Sequence, residues 1–440
     1  MKNINYNFEE GTEILKRLIQ FETINPPGNE HDCIYYINSL LKKEGFETQI
    51  IEKSNKRLNL ITKLKGKKKT PPLLLYGHID VVPVKNQNWK FPPFSATESD
   101  GYLWGRGTLD MKAGVAMMIT ALINLKRSGF VPAGDIIFAA LSDEEAGGTY
   151  GAEFLVNEHP HLFKDVKFAL GEFGGFPIYI GGKKFYAIQV AEKQVCWLQG
   201  TLNGQGSHAS FPMRNGVMGK LGRILTILNE NRLPYHLLTS VEKMFQIMSD
   251  HSDMPFKKYF KELTNPDKVV EALEKMGQYK KLFEAVLHNT VNTTVIRSGE
   301  KINIVPSKVS LKMDARLLPG FTDTDVINEI QKLTGKDLHL KSASYASSKS
   351  NIDLGLFENL SKIITDLDPE GIPIPLVLSA TTDARHFAKL GIQTYGFIPM
   401  NLPEGFDLIK HIHAADERIP IDAYHFGITA MQNAIMQYDG

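Results

Sequence analysis

The sequence predicts an α/β fold: a mostly parallel sheet with helices on both faces, carrying an inserted ferredoxin-like α+β domain. Three observations predict it. Short, almost wholly apolar runs alternate with helical stretches through the first third of the chain, as in strands covered on both faces. The middle then follows a β-α-β-β-α-β order, the split pattern of a small ferredoxin-like domain. After it the α/β alternation resumes. At 440 residues the chain exceeds the size at which one core usually stops growing, so at least two domains are expected. We place the large domain in residues 1–193 and 348–440, and the inserted domain in residues 194–347.

Each element has a local reason. Phe8 to Glu22 carries Ile14, Leu15, Leu18 and Ile19 at helical spacing, and Asp32 to Glu44 repeats the pattern, with Gly45 as its stop. Leu73 to Tyr76, Ile136 to Leu141 and Val166 to Leu170 are apolar enough for buried strands, with the helical stretch Lys112 to Arg127 among them. In the middle, strands are expected at Gln194 to Gly204, Thr290 to Ser298, Val309 to Arg316 and Leu338 to Ala343, and helices at Asn215 to Asn231 and Thr324 to Leu333. Between its first helix and second strand lies a long charged stretch (about Tyr235 to His288), expected to be helical. From Ser348 on, helices are expected at Leu354 to Asp366, Asp383 to Leu390 and Ile421 to Gln437, and strands at Leu376 to Leu378 and Gln393 to Ile398.

Composition excludes some functions. Lys plus Arg number 50 and Asp plus Glu 49, so no net field draws the chain to nucleic acid or an anionic membrane. The basic run Lys63 to Lys69, with Gly66 and the following Pro71-Pro72, reads as a solvated hairpin or loop. No apolar stretch approaches the ~20 residues that span a bilayer. Met1 to Glu10 is polar, without the apolar core of a secretory leader. The two cysteines, Cys33 and Cys196, are too few for a disulfide framework. A cytoplasmic protein is expected.

Five segments carry chemistry, most of them at or just beyond the C-terminal ends of expected strands, where α/β sheets bind ligands. In Tyr76-Gly77-His78-Ile79-Asp80, an extended backbone puts His78 and Asp80 on one side, so that the carboxylate can orient the imidazole; a satisfied buried histidine explains the motif equally well. Asp110, in Trp104 to Lys112, sits where a helix N-cap would, and alone that is its better explanation. Three acids in succession, Asp143, Glu144 and Glu145, end a strongly apolar strand, which is costly unless a cation or solvent receives them. Neighbouring side chains on an extended backbone diverge, leaving one free to bind metal and the other to handle a proton. Glu172 is a further strand-end acid, for which solvation is the simpler reading taken alone. His411-Ile412-His413 is weak by itself. Together, two histidines and four or five acids from five segments could converge on one sheet edge, where bound cations would remove the repulsion among the carboxylates. Mixed imidazole and carboxylate ligands suit zinc, with cobalt or manganese as substitutes. A shared aspartate would hold two ions about 3.5–4 Å apart.

These segments, in this order and over nearly the whole chain, resemble the di-zinc aminoacylase and carboxypeptidase family, which includes acetylornithine deacetylase, succinyl-diaminopimelate desuccinylase, cytosolic dipeptidases and glutamate carboxypeptidase. Thr23 to Glu30 is similar to the family's opening signature. The resemblance implies that His78 and Glu172 bind one zinc, Glu145 and His413 the other, and that Asp110 bridges them. His413 is preferred to His411 because His413-Ala414-Ala415-Asp416-Glu417 fits the family spacing. Asp80 would orient His78, Glu144 would be the general base, and a cis peptide would follow Asp110. The inserted domain resembles the family's lid, which pairs subunits into a homodimer. His208, in Gly206 to Pro212, would reach a partner's site as an oxyanion donor. Asn303 and Arg316 would hold a substrate carboxylate, Arg316 through a bidentate fork; taken alone, Arg316 reads as half of a surface ion pair. Thr381 to Arg385 would shape the site floor. The implied activity is hydrolysis of an amide bond beside a free carboxylate, in a small molecule or short peptide. The alternatives are an inactive binding protein that keeps the fold, and a single-metal aminopeptidase that recognises a free amine. The long insertion departs from the family pattern and leaves substrate size open.

Overall fold

The computed structural model describes residues 6–54, 56–345 and 352–440. Two compact units emerge. One takes in Met1–Val190, Asp353–Leu376 and Thr382–Gly440, and the other Ala191–Ile352 and Val377–Thr381. The expected junction at residues 347/348 and the first five residues of the polar N-terminus lie outside the described residues.

The first unit is built on a nine-stranded sheet. Its central strands are Ile136–Leu141, Leu73–His78, Phe168–Gly171 and Gln393–Gly396, adjacent in that order and all parallel. The first two bury every residue, which is why their sequences show no alternation. Antiparallel strands extend the sheet on both sides: Leu58–Leu64 and Thr48–Glu52 beyond Ile136–Leu141, and Lys183–Glu192 beyond Gln393–Gly396. None of these three was expected. Leu58–Leu64 hides its strand character because it buries Asn59 and Thr62. Asn59 accepts the Ser142 amide at 3.0 Å and donates to the Tyr150 carbonyl at 2.8 Å, while the Thr62 hydroxyl donates to the Glu47 carbonyl at 2.7 Å. Polar side chains are tolerated in a core strand when so satisfied.

Helix Lys112–Arg127 is buried from Lys112 through Leu125. It is apolar on nearly every side, as a helix enclosed by its neighbours must be, and packs on Phe8–Gln20 and Ile421–Gln437. Lys112 ends a fully buried stem by donating to the Leu18 and Phe21 carbonyls at 2.9 and 2.7 Å. The expected helix from Asp383 is shorter than foreseen: Ala384–Phe387, then a 3₁₀ turn to Leu390. The run after Lys63 finishes strand Leu58–Leu64 and continues as a loop with exposed lysines.

The second unit has a four-stranded antiparallel sheet in the order Thr290–Arg297, Lys308–Leu317, Gln194–Asn203, His339–Tyr345. Helices Val217–Glu230 and Asp323–Thr334 pack on it around Leu198, Leu202, Ile224, Leu311 and Ile330, which is the ferredoxin-like arrangement. The insertion is helical, as its composition implied: Thr239–His251, Phe256–Leu263, Val269–Lys275 and Lys280–Leu287. A backbone bridge between Tyr235 and His288 closes its base, and Phe245, Phe260 and Phe283 form its aromatic centre. Among the described residues no helix is long and apolar enough to cross a membrane.

Candidate metal centre

Three parallel strands deliver the first groups. His78 is the last residue of Leu73–His78 and stands level with Leu141 in the register. Glu144 and Glu145 follow Leu141 in a tight turn, and Glu172 follows Gly171. The parallel alignment therefore brings all four acids and imidazoles to one rim of the sheet. Asp110 comes from the loop entering helix Lys112–Arg127, and the Asp110–Met111 peptide is cis. His413 comes from a late loop next to that one.

These side chains form two overlapping groups, His78–Asp110–Glu172 and Asp110–Glu145–His413, whose ligand-type atoms lie within 4.8 Å of one another in each group. Asp110 is the hinge between them. Its Oδ1 is 2.9 Å from His78 Nε2 and its Oδ2 is 3.0 Å from His413 Nε2. Glu172 Oε1 stands 3.9 Å from His78 Nε2, and Glu145 Oε2 3.3 Å from His413 Nε2. His411 lies outside the group; its Nδ1–H donates to the Asp407 carbonyl.

The electrostatics are those of crowded like charges. Burial, then the Asp110 charge, pushes the Glu172 carboxyl up to about 7. Burial, then Glu172, holds Glu144 well above the usual carboxylate range, and burial raises Glu145 as well. Asp110 resists burial and stays below its ordinary value because His413 and His78 donate to it. Those bonds lift His413 to about 10 and hold His78 well above its usual value despite its burial. Glu145 Oε1 and Glu172 Oε2 are buried without a hydrogen-bond partner. Orphaned carboxylate oxygens of this kind are costly. One divalent ion in each group would satisfy both, so the donor set fits a pair of ions.

Two supporting networks escaped sequence reasoning. Asp80 does not orient His78 mainly through its carboxylate. The His78 Nδ1–H donates to the Asp80 backbone carbonyl at 2.9 Å, while the carboxylate is 3.5 Å away. The carboxylate instead accepts the Glu144 and Glu145 amides at 3.1 and 3.2 Å and Asn25 Nδ2 at 2.8 Å. It is therefore the anchor of the acidic turn. Behind that turn, Arg57 forks onto Glu30 at 2.7 and 2.8 Å and reaches Asp143 at 2.9 Å. The second network centres on Glu417, whose Oε1 accepts the Gly107, Leu109 and Asp110 amides and whose Oε2 takes Arg106 at 2.6 Å. Arg106 also donates to Gln87, and Gln87 to the His413 carbonyl at 2.9 Å. One buried pair thus holds the Asp110 and His413 loops together. Its signal lay in the motifs, where Arg106 and Glu417 adjoin the glycines and the late histidine.

Three residues in or beside the cluster, Asp143, Phe173 and His413, have left-handed backbone, with φ of 74°, 65° and 61°, which aims their own or the following side chain off the ordinary strand direction. Asp383, expected on the site floor, is buried with both oxygens unpartnered, and burial pushes its carboxyl up to about 7. It abuts Gly148, which has φ of 78°, a conformation other residues rarely adopt, and where a Cβ would come within 2.8 Å of the Asp383 Oδ1.

The remaining candidates belong to the second unit. His208 lies on the small ribbon formed by Ser207–His208 and Ile304–Val305, paired with Ile304, and Asn303 directly precedes the second strand, its carbonyl accepting the Ala209 amide at 3.0 Å; both are exposed. His208 Nδ1 lies 2.8 Å from the Ser210 hydroxyl and 3.3 Å from the Ser210 amide, so Ser210 engages that edge of the ring. Arg316 stands apart on strand Lys308–Leu317. Its guanidinium is engaged by Asp314, two residues away on the same face, at 2.7 and 3.2 Å.

An α/β sheet whose rim gathers two such groups around one aspartate is the architecture of a dinuclear-metal hydrolase. The chain belongs to peptidase family M20/M25/M40, whose family model matches residues 74–437. A probable carboxypeptidase S-like protein of Dictyostelium discoideum is 29% identical over 80% of this chain and 69% of its own length. The N-fatty-acyl-amino acid synthase/hydrolase PM20D1 of Xenopus tropicalis is 29% identical over 82% of this chain and 72% of its own. Among solved structures, a metallo-carboxypeptidase of this family from Sulfolobus solfataricus shares the fold, with a TM-score of 0.66 at 18% identity over 97% and 98% of the two chains.

Proposed function

We propose that the chain hydrolyses an amide bond adjacent to a free carboxylate, as an N-acyl amino acid deacylase, dipeptidase or carboxypeptidase, with two zinc ions per chain. One observation carries the reading: each oxygen of Asp110 faces a different histidine, and each of those histidines faces its own otherwise unpartnered glutamate. His78, Asp110 and Glu172 would hold one ion, and Asp110, Glu145 and His413 the other, with cobalt or manganese as possible replacements. When bound, the ions would acidify a shared water and polarise the scissile carbonyl.

The chain's own residues do the rest. Glu144 takes a proton from the attacking water and hands it to the leaving nitrogen, in keeping with a carboxyl held above the usual range. Asp80 keeps Glu144 in place through its backbone amide. His208 is assigned to the oxyanion in the site of a second subunit, which makes the protein a homodimer through its inserted domain. Arg316 and Asn303 are assigned to the substrate carboxylate. Arg316 would exchange Asp314 for the substrate, a swap its bidentate geometry permits. Both cysteines are buried and unpaired, which accords with a reducing cytoplasm.

The test is metal analysis combined with a substrate panel. The purified protein should carry two divalent ions per chain. Chelation should abolish cleavage of N-acyl amino acids and dipeptides, and zinc should restore it. A protein that holds no metal under any condition would end the proposal. Arg316→Ala should raise KM for carboxylate-bearing substrates roughly tenfold to 100-fold, the usual worth of a charged hydrogen bond. An unchanged KM would remove the carboxylate assignment.

A further inference from the structure

A cavity of about 720 Å³ lies in the second unit, where the base of the helical insertion meets the ferredoxin-like core. That volume suits a small molecule, and no residue of the metal centre lines it. Its walls carry three acidic side chains, Glu230, Glu274 and Glu284, and three basic ones, Arg232, Lys280 and Lys281. Most of them already pair. Lys280 Nζ donates to both Glu274 oxygens at 2.7 and 2.9 Å, and Arg232 lies 3.2 Å from Glu274 and 3.2 Å from Glu284. Glu230 and Lys281 are left, one of each sign, both exposed and in no ion pair among the described residues.

Two buried atoms of the lining lack hydrogen-bond partners among the described residues, His288 Nε2 and Arg232 Nε. His288 is only 5% exposed, and its Nδ1 lies 2.7 Å from the Leu233 carbonyl and 3.1 Å from the Pro234 carbonyl. Carbonyls only accept, so Nδ1 carries the proton. Burial holds the ring's pKa below its ordinary value, which keeps it neutral and leaves Nε2 a bare lone pair. Arg232 Nε is the opposite case, a buried donor whose approach to Glu284 makes no hydrogen bond. An open acceptor and an open donor each cost free energy that a ligand can recover. A buried ammonium fixes the wall around them. Lys193, 1% exposed, donates to the Ala285 and His288 carbonyls at 2.9 and 2.8 Å and to the Thr290 hydroxyl at 3.2 Å, and all three of those residues line the cavity.

We infer that this cavity is a second ligand site, separate from the metal centre, that binds a free α-amino acid with an aliphatic side chain. The carboxylate is assigned to Arg232 and Lys281, and the ammonium to Glu230 and His288 Nε2. Charge selects the class. The acids and bases of the lining balance, so a purely anionic or purely cationic ligand meets as much repulsion as attraction. A zwitterion finds a partner for each end. The bare lone pair on Nε2 asks for an N–H donor, which an ammonium supplies. Glu230 also ends helix Val217–Glu230, whose last carbonyls favour a positive group. Leu228, Leu233 and Val291 complete the lining with apolar surface, which suits an aliphatic side chain.

The experiment is a calorimetric titration of the zinc-loaded full chain with L-leucine, repeated after chelation so that product binding at the metal centre is told apart. One leucine per chain should bind in a way that survives chelation. N-acetyl-leucine, which lacks the ammonium, and leucinamide, which lacks the carboxylate, should each bind the chelated protein roughly tenfold or more weakly, the worth of a charged hydrogen bond. Arg232→Met and Lys281→Met should weaken leucine binding by a similar factor. Should Arg232→Met fail to fold because Glu274 and Glu284 lose their partner, Lys281→Met, at an exposed position without an ion pair, decides. Absence of leucine binding, as in a cavity that holds only water, overturns the assignment. So does binding that vanishes on chelation, N-acetyl-leucine or leucinamide binding as tightly as leucine, or a folded Lys281→Met that binds leucine as the native protein does. None of these results touches the hydrolase reading, which the metal analysis and substrate panel test on their own.

Discussion

Asp110→Ala is expected to release both metal ions at once. No other side chain in the cluster meets two histidines, at 2.9 Å through one oxygen and 3.0 Å through the other. Without it, His78 with Glu172 and His413 with Glu145 are two-residue remnants, too few to hold a divalent ion firmly. Activity should fall on the order of 10⁴-fold or more, because several kcal/mol of transition-state stabilisation leave with the ions. A readout independent of turnover exists. Ligands that bind only the folded state stabilise it by about 2.7 kcal/mol at 100 times their Kd, so zinc should raise the Tm of the chelated native protein. It should leave the Tm of Asp110→Ala nearly unchanged. A variant that still binds two ions would show that Asp110 is not the bridge.

Glu144→Ala should separate chemistry from metal binding. Glu144 lies in neither ligand group, and its neighbour Glu145 faces His413. The variant should therefore keep two ions and the zinc-dependent Tm shift, yet lose roughly 10²–10⁴-fold in kcat, the usual contribution of a general acid–base group. KM should change little. Normal turnover would remove the assigned base, and loss of an ion would mean that Glu144 and Glu145 have been given each other's roles. The Asp80 carboxylate, which accepts the amides of both glutamates, keeps the turn in place when the Glu144 side chain is removed, so the comparison is clean.

Much of the fold was legible because burial on two faces leaves a simple mark. Ile136–Leu141 and helix Lys112–Arg127 have the bounds that their apolar runs implied. The strands that went unrecognised, such as Leu58–Leu64, bury polar groups whose partners are far away in sequence, and periodicity does not record such partners. Lys183–Glu192 joins the sheet antiparallel beside Gln393–Gly396, a pairing across some 200 residues that no local pattern announces. At the site, the acids at strand ends stood out because an apolar strand ending in carboxylates needs a reason. The supporting residues did not. Glu417 holds the Asp110 loop from more than 300 residues away, Arg57 steadies the acidic turn from 86 residues away, and Arg316 turns out to be engaged by Asp314.

The sequence by itself determined which residue types stand at the ends of which strands, and hence the class of chemistry, because chain direction and local periodicity are local properties. The tertiary structure alone decided which oxygen of Asp110 faces which histidine and what anchors the acidic turn. Those are matters of ångströms set by packing and by hydrogen bonds between distant segments, and such distances exist only once the chain has closed on itself.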